Sequence, residues 1–367
     1  MAAKNLIESS YLARYIFLNA VDISDKDIFP VREVQNSPPT FHFPRSNNGD
    51  EILPLLNQII STRAAESREN TIDRFLESNG TTAFVVIKDD NLLFERYYNG
   101  YGPSSIFTSF STVKSFVSAL VGIALNERMI KSLDDPLTQY LPELTAPHWS
   151  DITIRNLVSM SSGLKYNPNG FLPWDDDPRI YYSLNLRKLA RGVRAFEPPG
   201  IHFQYNNYNL VLIGMVLERV TGGTVSGYLQ EMIWKPLGME YPASWSLDST
   251  KFGMEKMESG LNAHALDYAK FGRLYLRHGD WNGRQIVPET WVIESTSAAP
   301  EAKWTNYKYF WWIPRSGKGR FMAVGNLGQF IYIAPDKDCL ILRFGRAKPK
   351  DWSQFYPKLF ASLVELL

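Results

Sequence analysis

Strand-forming sequence in this chain is concentrated toward its two ends. TTAFVVIKDDNLLFERYYNG, residues 81–100, places two apolar runs around Asp89-Asp90-Asn91 and predicts a β-hairpin. FMAVGNLGQFIYIAPDKDCLILRFG, residues 321–345, predicts further strands separated by the turn residues Pro335 to Asp338. From about 131 to 245 there are only short helical patterns, at Thr153 to Met160, Leu186 to Arg194 and Tyr208 to Thr221, set in loops rich in Pro, Gly, Asn and Asp. Strands from the two ends close into one antiparallel sheet flanked by helices, with an all-α domain inserted between them, an α/β (α+β) fold. The expected bounds are an N-terminal extension at 1–50, an α/β domain from 51–130 plus 246–367, and an all-α domain at 131–245.

The extension begins with a short helical pattern near Leu12 to Asn19 and then carries Pro30, Pro38, Pro39 and Pro44, which predicts a strap over another surface. Glu51 to Leu76 has apolar residues at helical spacing, as do Leu261 to about His278 and Trp352 to Leu367. The helix beginning at Ser111 is different, because Val113, Phe116, Val117, Leu120, Val121 and Ile123 to Leu125 nearly encircle it. Such a helix is expected at the centre of a core.

Composition removes several classes of function. Lysine plus arginine number 39 against 38 aspartate plus glutamate, and the one basic run, Arg343 to Lys350, is broken by Phe344, Gly345 and Pro349. No nucleic-acid partner is expected. Cys339 is the only cysteine, which excludes an internal disulfide, a CxxC redox pair and a cysteine-rich metal site. No apolar run is long enough to span a bilayer, and MAAKNLIESS lacks the apolar core of a signal peptide, so the chain as written is expected to be cytoplasmic, or periplasmic if a leader precedes it.

The residues that carry chemistry are few. Ser111-Thr112-Val113-Lys114 spaces a serine and a lysine one helical turn apart on one face. Serine needs a base to take its proton, and a lysine can serve only if apolar surroundings lower its pKa, which this helix supplies. At the helix start, the Ser111 N–H would also lie near a developing oxyanion. A second copy of the spacing, Ser162 to Lys165, runs into Asn167-Pro168-Asn169-Gly170 and is set aside, because that stretch will not hold a rigid helix. Tyr205-Asn206-Asn207 follows Glu197-Pro-Pro-Gly200 and precedes a helix, so Tyr205 can relay a proton and Asn207 can donate to a substrate carbonyl. Tyr97-Tyr98-Asn99 has the same form but ends a hairpin strand. Gly325-Asn326-Leu327-Gly328-Gln329 enters a strand, where Gly328 lets a substrate approach the edge and the Gln329 N–H supplies a second oxyanion donor.

The five histidines are scattered, and neither HExxH nor G-x-S-x-G occurs. Asp175, Asp176 and Asp177 cannot all face one cation and are read as a solvated or pocket-rim loop, one of them able to meet a substrate amine.

Together these elements, in this order, resemble the β-lactamase-related serine hydrolases: class C β-lactamases, D-alanyl-D-alanine carboxypeptidases, family VIII esterases and 6-aminohexanoate-dimer hydrolases. The resemblance runs from about residue 80 to the C-terminus and takes in Leu133-Asp-Asp-Pro136, Tyr140-Leu-Pro-Glu143, ITIRNLVSMSSGL at 152–164, Pro236-Leu-Gly-Met239 and SGLNAHALDYAKFGRLYL at 259–276. It implies a β-lactamase/transpeptidase-like fold, Ser111 as nucleophile, Lys114 as its base partner and Tyr205 as proton relay. It further implies substrate orientation by Asn207, an oxyanion hole from the Ser111 and Gln329 N–H groups, a small ester or amide substrate, and no metal or organic cofactor. The β-lactamases and peptidases place lysine or often histidine where Asn326 stands, and that cation would meet a substrate carboxylate. With asparagine there, the G-x-x-G-Q form and the Trp174-Asp-Asp-Asp177 loop look closer to the amide-dimer hydrolases and esterases. A class C-type lactamase or carboxypeptidase is the alternative enzyme, and a non-catalytic ligand sensor is the alternative from another class.

Overall fold

The computed structural model describes residues 7, 9–18, 21–45, 52–63, 71–168, 172–298, 306–314, 318–347 and 352–367. The first residues of the chain and the Lys348-Pro349-Lys350 end of the basic run lie outside these. In chain order the strands are β1 (Val31–Val34), β2 (Thr81–Lys88), β3 (Asn91–Tyr97), β4 (Phe107–Thr108), β5 (Ala243–Ser246), β6 (Leu261–Ala263), β7 (Asp280–Trp281), β8 (Arg284–Gln285), β9 (Tyr307–Lys308), β10 (Trp311–Trp312), β11 (Phe321–Gly325), β12 (Gln329–Ala334) and β13 (Cys339–Gly345). The helices used below are α1 (Tyr11–Leu18), α2 (Val113–Asn126), α3 (Asp176–Tyr181), α4 (Asn207–Thr221), α5 (Ala265–Leu276) and α6 (Trp352–Leu366).

The main sheet is seven-stranded and antiparallel, in the order β3-β2-β13-β12-β11-β10-β9. The hairpin forms as expected. Asp89 and Asp90 both take positive φ, 51° and 61°, the backbone that a tight turn matched to strand twist requires and that Asp tolerates better than most residues. β2 is buried on both faces. Ala83, Val85 and Ile87 join the core that contains α2 and α5, while Phe84 and Val86 face a second core under α6 and the helices at 53–63 and 72–78. This two-sided burial explains why β2 and β13 read as unbroken apolar runs rather than alternating ones.

The helix at Ser111 lies at the centre, as its pattern predicts. Every residue from Val113 to Ala124 is buried, and Phe116 stacks on Phe271 of α5 with ring centroids 3.6 Å apart. Between Thr108 and Ala243 the described elements are all helical.

Two features differ from the expectation. A second, four-stranded sheet, β1-β5-β6-β4, stands beside the main one. The extension is therefore more than a strap, because Val31–Val34 pairs residue for residue with Ala243–Ser246. Strands of two to four residues carry too little periodicity to be read from sequence, and β1 and β4 find their partners far along the chain, Val31 opposite Ser246 and Phe107 opposite Ala263. This small sheet matters for the site. β4 leads straight into the turn that holds Ser111, and Ser109 fastens that turn to the β6 region, N–H to Leu261 O at 2.8 Å and hydroxyl to Ser259 O at 3.1 Å.

Candidate active site

Ser111 lies in a single 3-10 turn, Phe110–Thr112, immediately before α2, instead of in the helix itself. Phe110 adopts φ 41°, a conformation uncommon for a bulky residue and retained only when its surroundings impose it. Lys114, one turn on, is 1 % exposed. Its Nζ lies 2.8 Å from Ser111 Oγ and donates to Glu258 O at 3.0 Å. The same Nζ sits 4.9 Å from the centroid of the Tyr205 ring. The structure thus brings Ser111, Lys114 and Tyr205 together from two stretches of chain nearly 100 residues apart.

Tyr205 is held by its neighbours in sequence and by an aromatic wall. Gln204 N–H donates to Met160 O at 2.8 Å, and Asn206 caps α4 by accepting from Tyr208 N–H at 2.9 Å. The Tyr205 ring stacks on Trp312 at 6.0 Å and meets Tyr307 edge-on at 5.6 Å. Burial, and then Tyr205 beside it, push the Tyr307 hydroxyl well above the ordinary tyrosine range, so it stays a neutral phenol.

Asn207 Nδ2 donates to Tyr166 Oη and to Asp177 Oδ1, both at 3.0 Å, and Tyr166 Oη also donates to Asp177. With its amide nitrogen engaged in this way, the atom of Asn207 left without a partner is the buried Oδ1. Asn207 thus spends its amide hydrogens on Tyr166 and Asp177, where the sequence reading expected it to donate to a substrate carbonyl. Asp177 is raised above the usual carboxylate range by burial, opposed by the Tyr166 hydrogen bond, the nearby Lys114 cation and Asn207, and reinforced by the charge of Glu258.

At the third element, the residue that meets the Ser111 turn is Gly325. A Cβ added there would fall 2.5 Å from Ser109 O and 3.2 Å from Ser111 N. Asn326 opens the following turn, half-buried, and Leu327 and Gly328 continue it at φ 56° and 83°. Gln329 begins β12, in register with Gly325, and its buried side chain is occupied: Nε2 donates to Asn326 O at 3.0 Å and Gly345 O at 2.7 Å, and Oε1 accepts from Gly345 N–H at 2.9 Å.

Sequence reasoning gave no role to Glu258 or Tyr166, and expected of the motif's glycines, Gly325 among them, only room for a substrate along the strand edge. Gly325 stood in the motif already quoted, and its small size was the available signal. Glu258 has none, because what reaches Lys114 is its backbone carbonyl. Its own side chain is 4 % exposed, with Oε1 accepting from Ser259 Oγ at 3.0 Å and 3.6 Å from Lys256 Nζ, while Oε2 is unpartnered. Among the described residues no three His, Cys, Asp or Glu side chains gather as a metal site would require. No single described helix is long and apolar enough to cross a membrane.

The family model named Beta-lactamase matches residues 69–351. The 6-aminohexanoate-dimer hydrolase of Paenarthrobacter ureafaciens is 26% identical over 315 residues, which cover 78% of this chain and 77% of that protein. A candidate 6-aminohexanoate-dimer hydrolase from Bacillus anthracis, of known structure, superposes with a TM-score of 0.79 at 25% identity, covering 99% of this chain and 96% of the other. A class C beta-lactamase shares the fold, with a TM-score of 0.66 at 14% identity over 88% of this chain and 99% of that one. With antiparallel sheets, interposed helices and a model match across most of its length, the chain belongs to the Beta-lactamase family and is a hydrolase of that kind.

Proposed function

We propose that this hydrolase cleaves amide or ester bonds of small substrates through an acyl-enzyme on Ser111. The observation that carries the reading is the buried Lys114 Nζ, 2.8 Å from Ser111 Oγ and set against the Tyr205 ring. In the reaction, neutral Lys114 takes the Ser111 proton as Oγ bonds to the substrate carbonyl carbon. The carbonyl electron pair moves onto oxygen, where the Ser111 N–H and a second backbone N–H from the Asn326–Gln329 turn meet it, that of Gln329 in this assignment. Tyr205 gives its phenolic proton to the leaving nitrogen or oxygen as its bond to carbon breaks and the oxyanion returns to a carbonyl, and the proton held on Lys114 passes to Tyr205, which restores both groups. Water then repeats the sequence on the acyl-enzyme and frees Ser111.

Two features support amide-dimer or ester substrates over lactams and D-alanyl peptides. Asn326 supplies no cation for a substrate carboxylate, and a neutral donor returns less than a charge-assisted pair. Asp177, which accepts from Asn207, suits a substrate amine. The similarity to a 6-aminohexanoate-dimer hydrolase points the same way.

Incubation with a fluorophosphonate followed by intact-mass spectrometry should give one adduct, absent in Ser111→Ala. An adduct of equal yield in that variant removes Ser111 from the mechanism. Turnover of an amide dimer, a p-nitrophenyl ester, a D-alanyl peptide and nitrocefin then ranks the substrate classes.

A further inference from the structure

Arg343, on β13, is the fully buried cation of the main sheet, and no carboxylate pairs with it among the described residues. Its donors go to neutral oxygens instead: Nη1 to Gly328 O at 2.6 Å, Nε to Thr81 Oγ1 at 3.0 Å and Nη2 to Asn79 O at 3.0 Å. The Tyr356 ring lies 4.1 Å from the guanidinium carbon. A charge taken out of water without a counter-charge is costly, so its retention calls for a reason.

The surroundings are shaped to admit it. A Cβ on Gly328 would fall 2.1 Å from Arg343 Nη1, and one on Gly345 would fall 2.4 Å from the same atom. The guanidinium therefore presses directly on the back of the Asn326–Gln329 turn. The front of that turn begins at Gly325, against Ser111 N. Within it, Leu327 and Gly328 hold successive positive φ angles, which cost nothing at Gly328 but are unfavourable at Leu327, and outside contacts help to hold the turn. Those contacts are Arg343 on the Gly328 carbonyl and the Gln329 side chain on the Asn326 carbonyl.

We propose that Arg343 is a positioning residue for acyl transfer, holding and polarising the turn that presents the second oxyanion donor to Ser111. Gly328 C=O and Gln329 N–H are two ends of one peptide group. A cation on the oxygen draws electron density toward it and makes the N–H a stronger donor, an effect enlarged where the local dielectric is low. The inference rests on the serine-hydrolase reading above.

The test separates this role from plain support of the fold. Arg343→Lys and Arg343→Met are assayed on a p-nitrophenyl ester at a temperature where circular dichroism shows them folded. Weakening an oxyanion donor acts on the transition state, so kcat should fall at least about tenfold while KM stays within about threefold. Lys is expected to retain more activity than Met. A folded variant with kcat within twofold of the parent overturns the proposal. Should both variants fail to fold, Thr81→Val decides, because it removes one anchor of the guanidinium and leaves the rest. A fall in kcat of about two- to fivefold at constant KM is expected there, and an unchanged kcat overturns the role. Fluorophosphonate labelling of the same proteins tells the two failures apart. Loss of Ser111 specificity in the parent sinks the underlying reading, whereas intact labelling at Ser111 with insensitive kcat sinks the role of Arg343 alone.

Discussion

Burying a lysine without a carboxylate partner removes an ammonium from water for one carbonyl, one hydroxyl and the face of a ring, which is a poor exchange for a structural cation. Lys114 is in that position, 1 % exposed, with Ser111 Oγ, Glu258 O and Tyr205 around its Nζ. The proposed acyl transfer gives this position a use, since it sets the amine against the Ser111 hydroxyl. Lys114→Arg keeps the charge and most of the length, yet a guanidinium cannot deprotonate in the working range. Turnover should fall by about 100-fold or more, the scale of a lost general base, and fluorophosphonate labelling of Ser111 should slow with it. Near-parental kcat in Lys114→Arg would exclude proton transfer through this residue.

At the scale of elements, α2 controls where Ser111 points, and its neighbours control α2. Gly122 is the position at which the helix accepts the Trp291 ring, since a Cβ there would fall 2.3 Å from Cδ1 and Cγ of the indole. Two effects oppose each other in Gly122→Ala. Helix propensity favours alanine by about 1 kcal/mol, while forcing a methyl into a packed ring costs about 1–3 kcal/mol. Because Trp291 is buried and flat against Tyr309, with centroids 5.2 Å apart, it has little room to retreat, and the clash should win. The expected outcome is a drop in melting temperature of about 1–4 °C by differential scanning calorimetry. A variant more stable than the parent would mean that α2 and the helix Glu289–Thr296 separate freely.

Across the whole molecule, the N-terminal extension closes the structure from outside the main sheet. Arg14 of α1 donates to Ser183 O at 2.9 Å and Asp248 O at 2.6 Å, and Asp25 accepts from Tyr181 Oη of α3 at 2.8 Å and from Asp22 N–H at 3.1 Å. Burial pushes the Asp25 carboxyl above its usual range, opposed by those two hydrogen bonds and by Lys256, with Asp22 adding to the rise. A carboxyl whose folded pKa lies above the unfolded value binds its proton more tightly in the folded state. Its contribution favours folding at low pH and is lost as pH rises through the raised pKa. Asn does not titrate and keeps an acceptor for Tyr181. The melting temperature of Asp25→Asn relative to the parent should therefore climb as pH rises above the ordinary carboxyl range of about 4. A difference that stays flat as pH rises would show that Asp25 titrates as it does in the unfolded chain.

What the sequence determined by itself is local. The Asp89-Asp90 turn, the hairpin it closes, the apolar ring of α2 and the Ser111–Lys114 spacing each follow from residues within a few positions of one another, so propensity and periodicity suffice to read them. The sheet assembled from both ends was also readable, because two-sided burial leaves unbroken apolar runs in β2 and β13. Tertiary structure decided the rest. Only folding sets Tyr205 against Lys114, turns the Asn207 amide onto Tyr166 and Asp177, and brings Glu258 to the lysine through a backbone carbonyl that carries no residue signature. It also decided that Gly325 meets Ser111 N and that Arg343 stands behind the next turn, in space left by Gly328 and Gly345. These contacts join residues 15 to more than 200 positions apart, where side-chain type constrains packing weakly and chain topology chooses the partner.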